Sequence, residues 1–433
     1  MRQLGLLTAG ACAAGLLCAL AAGTVTAAKV PLRYWIWDSN QLPAVKTMVG
    51  LFSQHYPNIE VKIDVVDFGS YWSKMLTVMA AGTPPDVCWV NMPTFSVWSR
   101  RKLLVDLQPY VNSDKEAVAT AKAMWKPLID AYTTNGHIYG LPRDYDTICV
   151  MYNEDAVAAA GLVAPMTIEK QWTWDTLAEY AKKLTLTQGE TTKQWGFYAT
   201  GSDQSCWLNF VYAAGGDVFK WNADGSDAFV LNSPESAKAF QWLSDKRWKQ
   251  AVSPDMKSDG GADSMFTGGK VAMITQGDWP MVSYNKSIKK FRWNIAEMPF
   301  TPDTNKRASV IHGLADVILP ASKHKKEAFA FVKFMASKEA QAVLGTTGTV
   351  IPSRTDTEGL FFSPKLSPSN RRAFERAVDY AKPYPMSRKV QYTYAVQTMD
   401  PWIQKIWAGR LSIQKALEGC ASDMAAAIKR YSK

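Results

Sequence analysis

Between Leu32 and Asn91 the chain alternates strand, helix, strand, helix, strand, and that order leaves few folds open. Leu32 to Trp37 is an apolar, aromatic run that reads as a strand. Asp38-Ser39-Asn40 can cap a helix over Leu42 to His55, which Tyr56-Pro57-Asn58 ends. Ile59 to Val66 alternates apolar and charged residues, the period of a half-buried strand. Asp67-Phe68-Gly69-Ser70 turns into a second helix, Tyr71 to Ala81, stopped by Gly82-Thr83-Pro84-Pro85. Asp86 to Asn91 is the third strand. Helical crossovers between such strands predict a parallel sheet. Ligands of open α/β sheets sit beyond the carboxyl ends of the strands. Those ends are Trp37-Asp38-Ser39, Asp67-Phe68 and Asn91-Met92.

A second stretch, Gly136 to Asn153, divides into breakers, charges and a buried run. Gly136, Gly140 and Pro142 read as turn residues. Ile148 to Tyr152 is continuous and apolar, as suits a strand buried on both faces. Arg143, Asp144, Tyr145, Asp146 and Thr147 lie between them. They are either a solvated surface loop or a crossing between two lobes, with polar groups facing a cleft.

At 433 residues the chain exceeds one ordinary core, so two or more domains are expected. Met1 and Arg2, the apolar run Leu4 to Ala22, and Val25-Thr26-Ala27 read as a signal peptide over 1–27, with a mature start at about Ala28. Cys18 follows Leu17 rather than a small residue, so a lipid anchor is not expected. The mature protein is expected in the periplasm or outside the cell. Four cysteines remain, Cys88, Cys149, Cys206 and Cys420; they allow three pairings, and buried thiols are the preferred reading. The net charge of +10 is spread along the chain. It does not argue for nucleic acid, and none is expected as a partner. Lys323, Lys325, Lys326 and Lys333 read as one solvated helical face.

Farther along, helices are read after Asn153, over Leu177 to Leu184, Cys206 to Ala214, Ser233 to Gln250 and Lys325 to Met335, and through most of the tail. Strands are read at Trp195 to Tyr198, Val271 to Thr275, Trp293 to Met298, and Val310 to Leu319, the last interrupted by His312-Gly313. Gly345 to Arg354 reads as a loop.

Catalytic motifs are missing: no Gly-x-Ser-x-Gly elbow, phosphate loop or dinucleotide fingerprint occurs. The four histidines lie far apart and lack metal-ligand spacing. No catalytic residue, metal or cofactor is expected. The positive signal is aromatic. A sugar ring needs a flat apolar platform rimmed by short polar groups. Trp37 beside Asp38, Phe68 beside Asp67, Tyr145 beside Asp144, and Trp279 beside Asp278 have that pairing at loop positions. Trp35, Trp89 and Trp293, inside strands, read as core.

Several segments together carry a family resemblance: Phe52 to Val65, Ala81 to Val87, Leu104 to Tyr110, Tyr139-Gly-Leu-Pro142 with Tyr152-Asn153, Trp172 to Leu177, Phe266 to Met273 leading to Trp279, Glu327 to Phe334, and Ile351-Pro-Ser-Arg354. In this order and spacing the chain resembles the extracellular solute-binding proteins of ABC importers, the carbohydrate-binding family that includes maltose-, multiple-sugar- and glycerol-phosphate-binding proteins. The resemblance implies an α/β fold of two lobes, the type II periplasmic-binding-protein arrangement. Each lobe would have a central β-sheet flanked by helices, and hinge crossings would interweave the two. It implies an N-terminal lobe of 28–144 and 313–348 and a C-terminal lobe of 145–312 and 349–433. The crossings would fall near Asp144 to Thr147, Ile311 to Gly313, and Thr346 to Ser353. The ligand positions it implies are Trp37, Asp38, Ser39, Asp67, Phe68, Tyr71, Asn91, Asp144, Tyr145, Trp207, Asp278, Trp279, Gly313 and Arg354. The implied partners are a carbohydrate and the permease subunits of an ABC transporter, with the receptor itself a monomer. Two alternatives stay open: a phosphorylated polyol, with Arg143 and Arg354 as its anion partners, and a secreted glycoside hydrolase using two carboxylates across the cleft.

Overall fold

The computed structural model describes residues 28–223 and 226–431; the predicted signal peptide lies outside the described residues. The opening alternation folds as expected: β1 (Val30–Ile36), α1 (Leu42–His55), β2 (Ile59–Val65), α2 (Phe68–Ala80) and β3 (Val87–Asn91). β1 pairs in parallel with both β2 and β3. α1 buries Ala44, Val45, Met48 and Phe52, one stripe of the helix. Phe52 packs edge-on against Phe331, with ring centroids 5.1 Å apart. Burying a side chain of that size stabilises the fold by about 1.5–3 kcal/mol. Met92–Arg100 follows as α3, with the Asn91 side chain capping it by accepting from the Thr94 N–H at 3.1 Å.

Gly140–Thr147 forms β4, and Cys149–Asn153 forms β5. Gly140 and Pro142 therefore stand inside a strand rather than breaking one, and every residue of β4 is buried. The surface-loop alternative is overturned for this stretch. Trp174–Leu184 is α4, Leu208–Ala213 is α5 and Pro234–Trp248 is α6. Short strands β6 (Met273–Gln276) and β7 (Trp293–Ala296) flank β5 antiparallel in a three-stranded sheet. Trp195 to Tyr198 makes one isolated bridge, Trp195 to Val271, and no strand.

Ser309–Ile318 is β8, and it runs unbroken through His312-Gly313. It pairs antiparallel with β3 and with β4. The register slips after Leu314: Leu314 faces Asp144 and Ala315 faces Pro142, leaving Arg143 as the extra residue. A bulge is where a strand proline is tolerated, because a ladder donor is already lost there. Lys325–Met335 is α7 and Lys338–Thr346 is α8; β9 (Ile351–Pro352) adds to the edge of β4. Arg372–Ala377 is α9, and β10 (Ala381–Pro383) joins the start of β8. Tyr392–Trp407 (α10) and Ile413–Tyr431 (α11) pack on each other and on α6.

The larger sheet has the order β9-β4-β8-β3-β1-β2, with β10 on β8. The chain leaves it after Thr147 and enters the smaller sheet at Cys149. Two sheet-centred lobes result, joined through β4 and β8. The four cysteines among the described residues, Cys88, Cys149, Cys206 and Cys420, are buried and free. Lys333 is not solvated as the sequence suggested: its ammonium pairs with Asp114 at 2.8 Å and Glu116 at 2.7 Å. Among the described residues no helix is long and apolar enough to cross a membrane.

Candidate functional site

At the carboxyl ends of β1, β2 and β3, where the lobes meet, lies a cleft of about 370 Å³. Trp37, Asp38, Ser39, Asp67, Phe68 and Asn91 line it from the β1–β3 side. Asp144 and Tyr145 of β4 form its floor, and Asp278 and Trp279 enter from the loop after β6. Ten of the fourteen residues expected at the ligand are thus brought together in one place.

Local folding explains their positions. Asp67 caps α2, accepting from the Gly69 N–H at 3.0 Å, and so presents Phe68 beside it. Trp37 is held by a cage of rings, 4.9 Å from Tyr71 and 5.2 Å from Trp89. Phe68 is the exposed member of that group, 44% accessible. Trp279 folds back over Gly277: a Cβ at 277 would lie 1.9 Å from its ring, so only glycine fits there.

Four expected residues are placed elsewhere. Tyr71 is fully buried, donating from its hydroxyl to the Trp89 and Trp35 carbonyls at 3.0 and 3.3 Å; it supports the cleft without lining it. Trp207 packs in the core against Phe240, 5.3 Å between centroids. Gly313 allows β8 to approach β4: a Cβ there would meet the Asp144 carbonyl at 2.8 Å. Arg354 turns to Asp356, with contacts of 2.8 and 3.0 Å.

The cleft also contains residues that the sequence reading missed. Asp203 and Gln204 come from a π-helical turn, Asp203–Trp207, just before α5. Gln204 Nε2 donates to Asp146 at 2.8 Å, and the Tyr384 hydroxyl donates to Asp203. His312 Nδ1 stands 3.4 Å from the Asp146 carboxylate and edge-on to Tyr384. Tyr384 and Tyr392 close the far wall. The ring of Tyr392 lies 6.4 Å from that of Trp72 on α2, a contact between the two lobes. The sequence signal available was the Tyr-rich segment 380–394, which lay between the helices read over Ser369 to Tyr380 and Tyr394 to Ala408 and was given no role.

Charge is handled unevenly. Arg143 is fully buried; its guanidinium lies over Trp89, donates to Gln41 Oε1 at 2.7 Å and pairs with Asp144. Burial raises Asp144 to about 6, against the pull of Arg143. Asp278 rises well above the usual carboxylate range through burial and through the charges of Asp146 and Asp144. Burial also raises Asp38 and Asp203. Beneath the floor, Trp89 donates to the Tyr34 hydroxyl, which donates to Asp316 at 2.7 Å; burial pushes Asp316 up to about 7.

A two-lobed α/β fold with a cleft of aromatic walls and aspartate edges defines a small-solute receptor. Residues 38–342, well over half of the chain, match the profile of the bacterial extracellular solute-binding proteins, and the chain belongs to that family. It is 24% identical over 320 residues to the arabinooligosaccharide-binding protein of Bacillus subtilis, covering 71% of this chain and 69% of that one. It is 23% identical over 368 residues to the maltodextrin-binding protein MdxE of the same organism, covering 82% and 79%. Its fold is similar to that of an ABC substrate-binding protein from Listeria monocytogenes in complex with cycloalternan, with a TM-score of 0.83 and 23% identity over 93% of this chain and 99% of that one. The maltose-bound MalE3 of T. maritima aligns with a TM-score of 0.76 and 23% identity, over 92% and 99%. The family name places the protein's work outside the cytoplasm.

Proposed function

We propose that this protein is the extracytoplasmic receptor of an ABC importer, capturing a sugar or oligosaccharide in the interlobe cleft and delivering it to membrane permease subunits. The observation that carries this reading is the gathering of three aromatic rings, Trp37, Phe68 and Trp279, in one cleft together with Asp38, Asp67, Asp144 and Asp278. Aromatic faces take the C–H face of a sugar ring, and carboxylates accept from its hydroxyls. The relatives named for oligosaccharides support the same class. The family role supports capture without turnover. The lining contains no Lys or Arg among the described residues, which disfavours a phosphorylated polyol.

Lobe closure would turn on the crossings of β4 into β5 near Ile148 and of β8 near Ile311. The lobes would be 28–144 with 313–348, and 145–312 with 349–433. Ligand bridging Trp37 and Trp279 would shift the population toward the closed form, which a permease could distinguish from the open one. The receptor would act as a monomer.

A thermal-shift screen against a broad carbohydrate and polyol panel tests this, followed by overnight incubation of each hit and product analysis. A hit at a hundredfold excess over its dissociation constant should stabilise the protein by about 2.7 kcal/mol and be recovered intact. A panel without any shift would reject the sugar reading; a hydrolysed hit would make the protein an enzyme.

A further inference from the structure

We infer that this cleft is blind at one end and takes a saccharide by a chain terminus, with Tyr384 and Tyr392 as the stop against which the terminal ring rests. This relies on the carbohydrate reading above and narrows its substrate class. Cyclic saccharides and the interior of a long chain are excluded.

A second and far smaller cavity, of about 10 Å³, lies beside the cleft of about 370 Å³. The two linings have only Asp203, Tyr384 and Tyr392 in common, so these three side chains are the partition between the spaces. On the far side the small cavity is lined mainly by apolar groups, among them Pro93, Trp207, Leu208, Phe219 and Met399. It has room for about one water at most. A sugar chain therefore cannot continue past the partition while both tyrosines are in place.

The stop belongs to a line of rings that spans both lobes. Successive ring centroids are 5.6 Å apart from Trp37 to Trp72, 6.4 Å from Trp72 to Tyr392, 5.8 Å from Tyr392 to Tyr384, and 5.5 Å from Tyr384 to His312. These are the spacings of rings in contact, and they leave no gap for a further ring to pass between. The tyrosines are also held in place. The Tyr384 N–H donates to the Ile311 carbonyl at 2.9 Å, and its hydroxyl donates to Asp203. Between the two tyrosines the chain is tied down by buried Asp227, which accepts from the Ser387 hydroxyl at 2.5 Å and the Arg388 N–H at 2.7 Å. From the other lobe, Arg101, the residue after α3, donates from Nη2 to the Lys389 carbonyl at 3.3 Å. A chain with rings on both sides of the bound unit would collide with this wall. A terminal ring would instead meet aromatic faces that suit its C–H surface.

The test is isothermal titration with linear gluco-, manno-, galacto-, xylo- and arabino-oligosaccharides, from monomer to hexamer. Each series that binds is titrated again as its cyclic form and as two derivatives, one with a bulky aryl group at the reducing end and one with it at the non-reducing end. One of the two derivatives should bind about tenfold or more weaker than the other, and the cyclic form should be rejected to a similar degree. In Tyr392→Ala the stop is cut back and the small cavity opens into the cleft, so the rejected derivative should regain most of its affinity. Tyr392→Phe keeps the ring and should keep the wild-type discrimination. If Tyr392→Ala does not fold, the end preference of the wild type decides. Equal affinity for the two derivatives, or for cyclic and linear forms, would overturn the blind end and leave the carbohydrate reading standing. Absence of binding by every series would overturn both.

Discussion

Arg143 is the unpaired residue of the β4 bulge, and its guanidinium lies 4.3 Å from the centroid of the Trp89 ring. From the bulge the Arg143 side chain reaches Trp89 of β3 and Gln41, the residue before α1. There Arg143 meets Gln41 and carries the counter-charge for Asp144. One irregularity in one strand thus links the cleft floor to the core of the larger sheet.

Removing that counter-charge should be expensive. Arg143→Met leaves Asp144 buried without its ion pair and should destabilise the protein by about 3 kcal/mol, read by urea unfolding. Arg143→Lys should recover only part of this, because an ammonium lacks the planar face that covers Trp89 and the fork that reaches Gln41. Equal stability of Arg143→Met and wild type would show that the pair contributes nothing.

Asp316 gives a pH dependence with a definite sign. Its carboxyl stands at about 7 in the folded protein, raised by burial against the opposing Arg143 charge and the Tyr34 hydroxyl, with Asp144 adding to the rise. A folded pKa above the unfolded value means the native state holds a proton that the unfolded chain has released. Stability from this group therefore falls as pH rises from about 4 to about 7. Asp316→Asn removes the titration. Between pH 5 and 8 the wild type should lose roughly 2 kcal/mol relative to this variant in chemical unfolding. Parallel profiles for the two proteins would contradict the assignment.

Gly277→Ala tests the seating of Trp279. The added methyl has no room beside the ring, so Trp279 must leave its place in the cleft wall. Ligand affinity should fall about tenfold or more with a change in tryptophan emission, while thermal stability shifts by roughly 1 kcal/mol. Unaltered emission and affinity would mean that the wall tolerates the methyl.

The β1 to β3 unit was legible because its signals are local: period-two alternation, caps and proline stops all lie within sixty residues of chain. The loops after β1 and β2 and the Asp278-Trp279 pair were legible for a related reason, since a short acid beside an aromatic at a strand end is itself a local pattern. β4 was not legible as a strand. Gly140, Pro142 and two aspartates argue against one locally, and what permits it is the bulge and a guanidinium buried against Trp89 from far away in sequence. His312-Gly313 misled in the same way, because the break in register lies at Leu314 and is caused by β4. Asp203, Gln204, Tyr384 and Tyr392 were missed because they reach the cleft through tertiary packing: β10 pairs with β8 and carries Tyr384 to His312. Trp207 was implied by the family resemblance, whereas the polar residues three and four positions before it are the ones at the cleft.

A ligand held between the Trp37 and Trp279 walls is tested most directly by isothermal titration of the bound carbohydrate into wild type, Trp37→Ala and Trp279→Ala, with unfolding curves to confirm that each variant is native. Each substitution should weaken binding by about 1.5–3 kcal/mol, roughly tenfold to a hundredfold and more, because each removes one aromatic face from the sugar. Wild-type affinity in both variants would place the ligand somewhere other than this cleft.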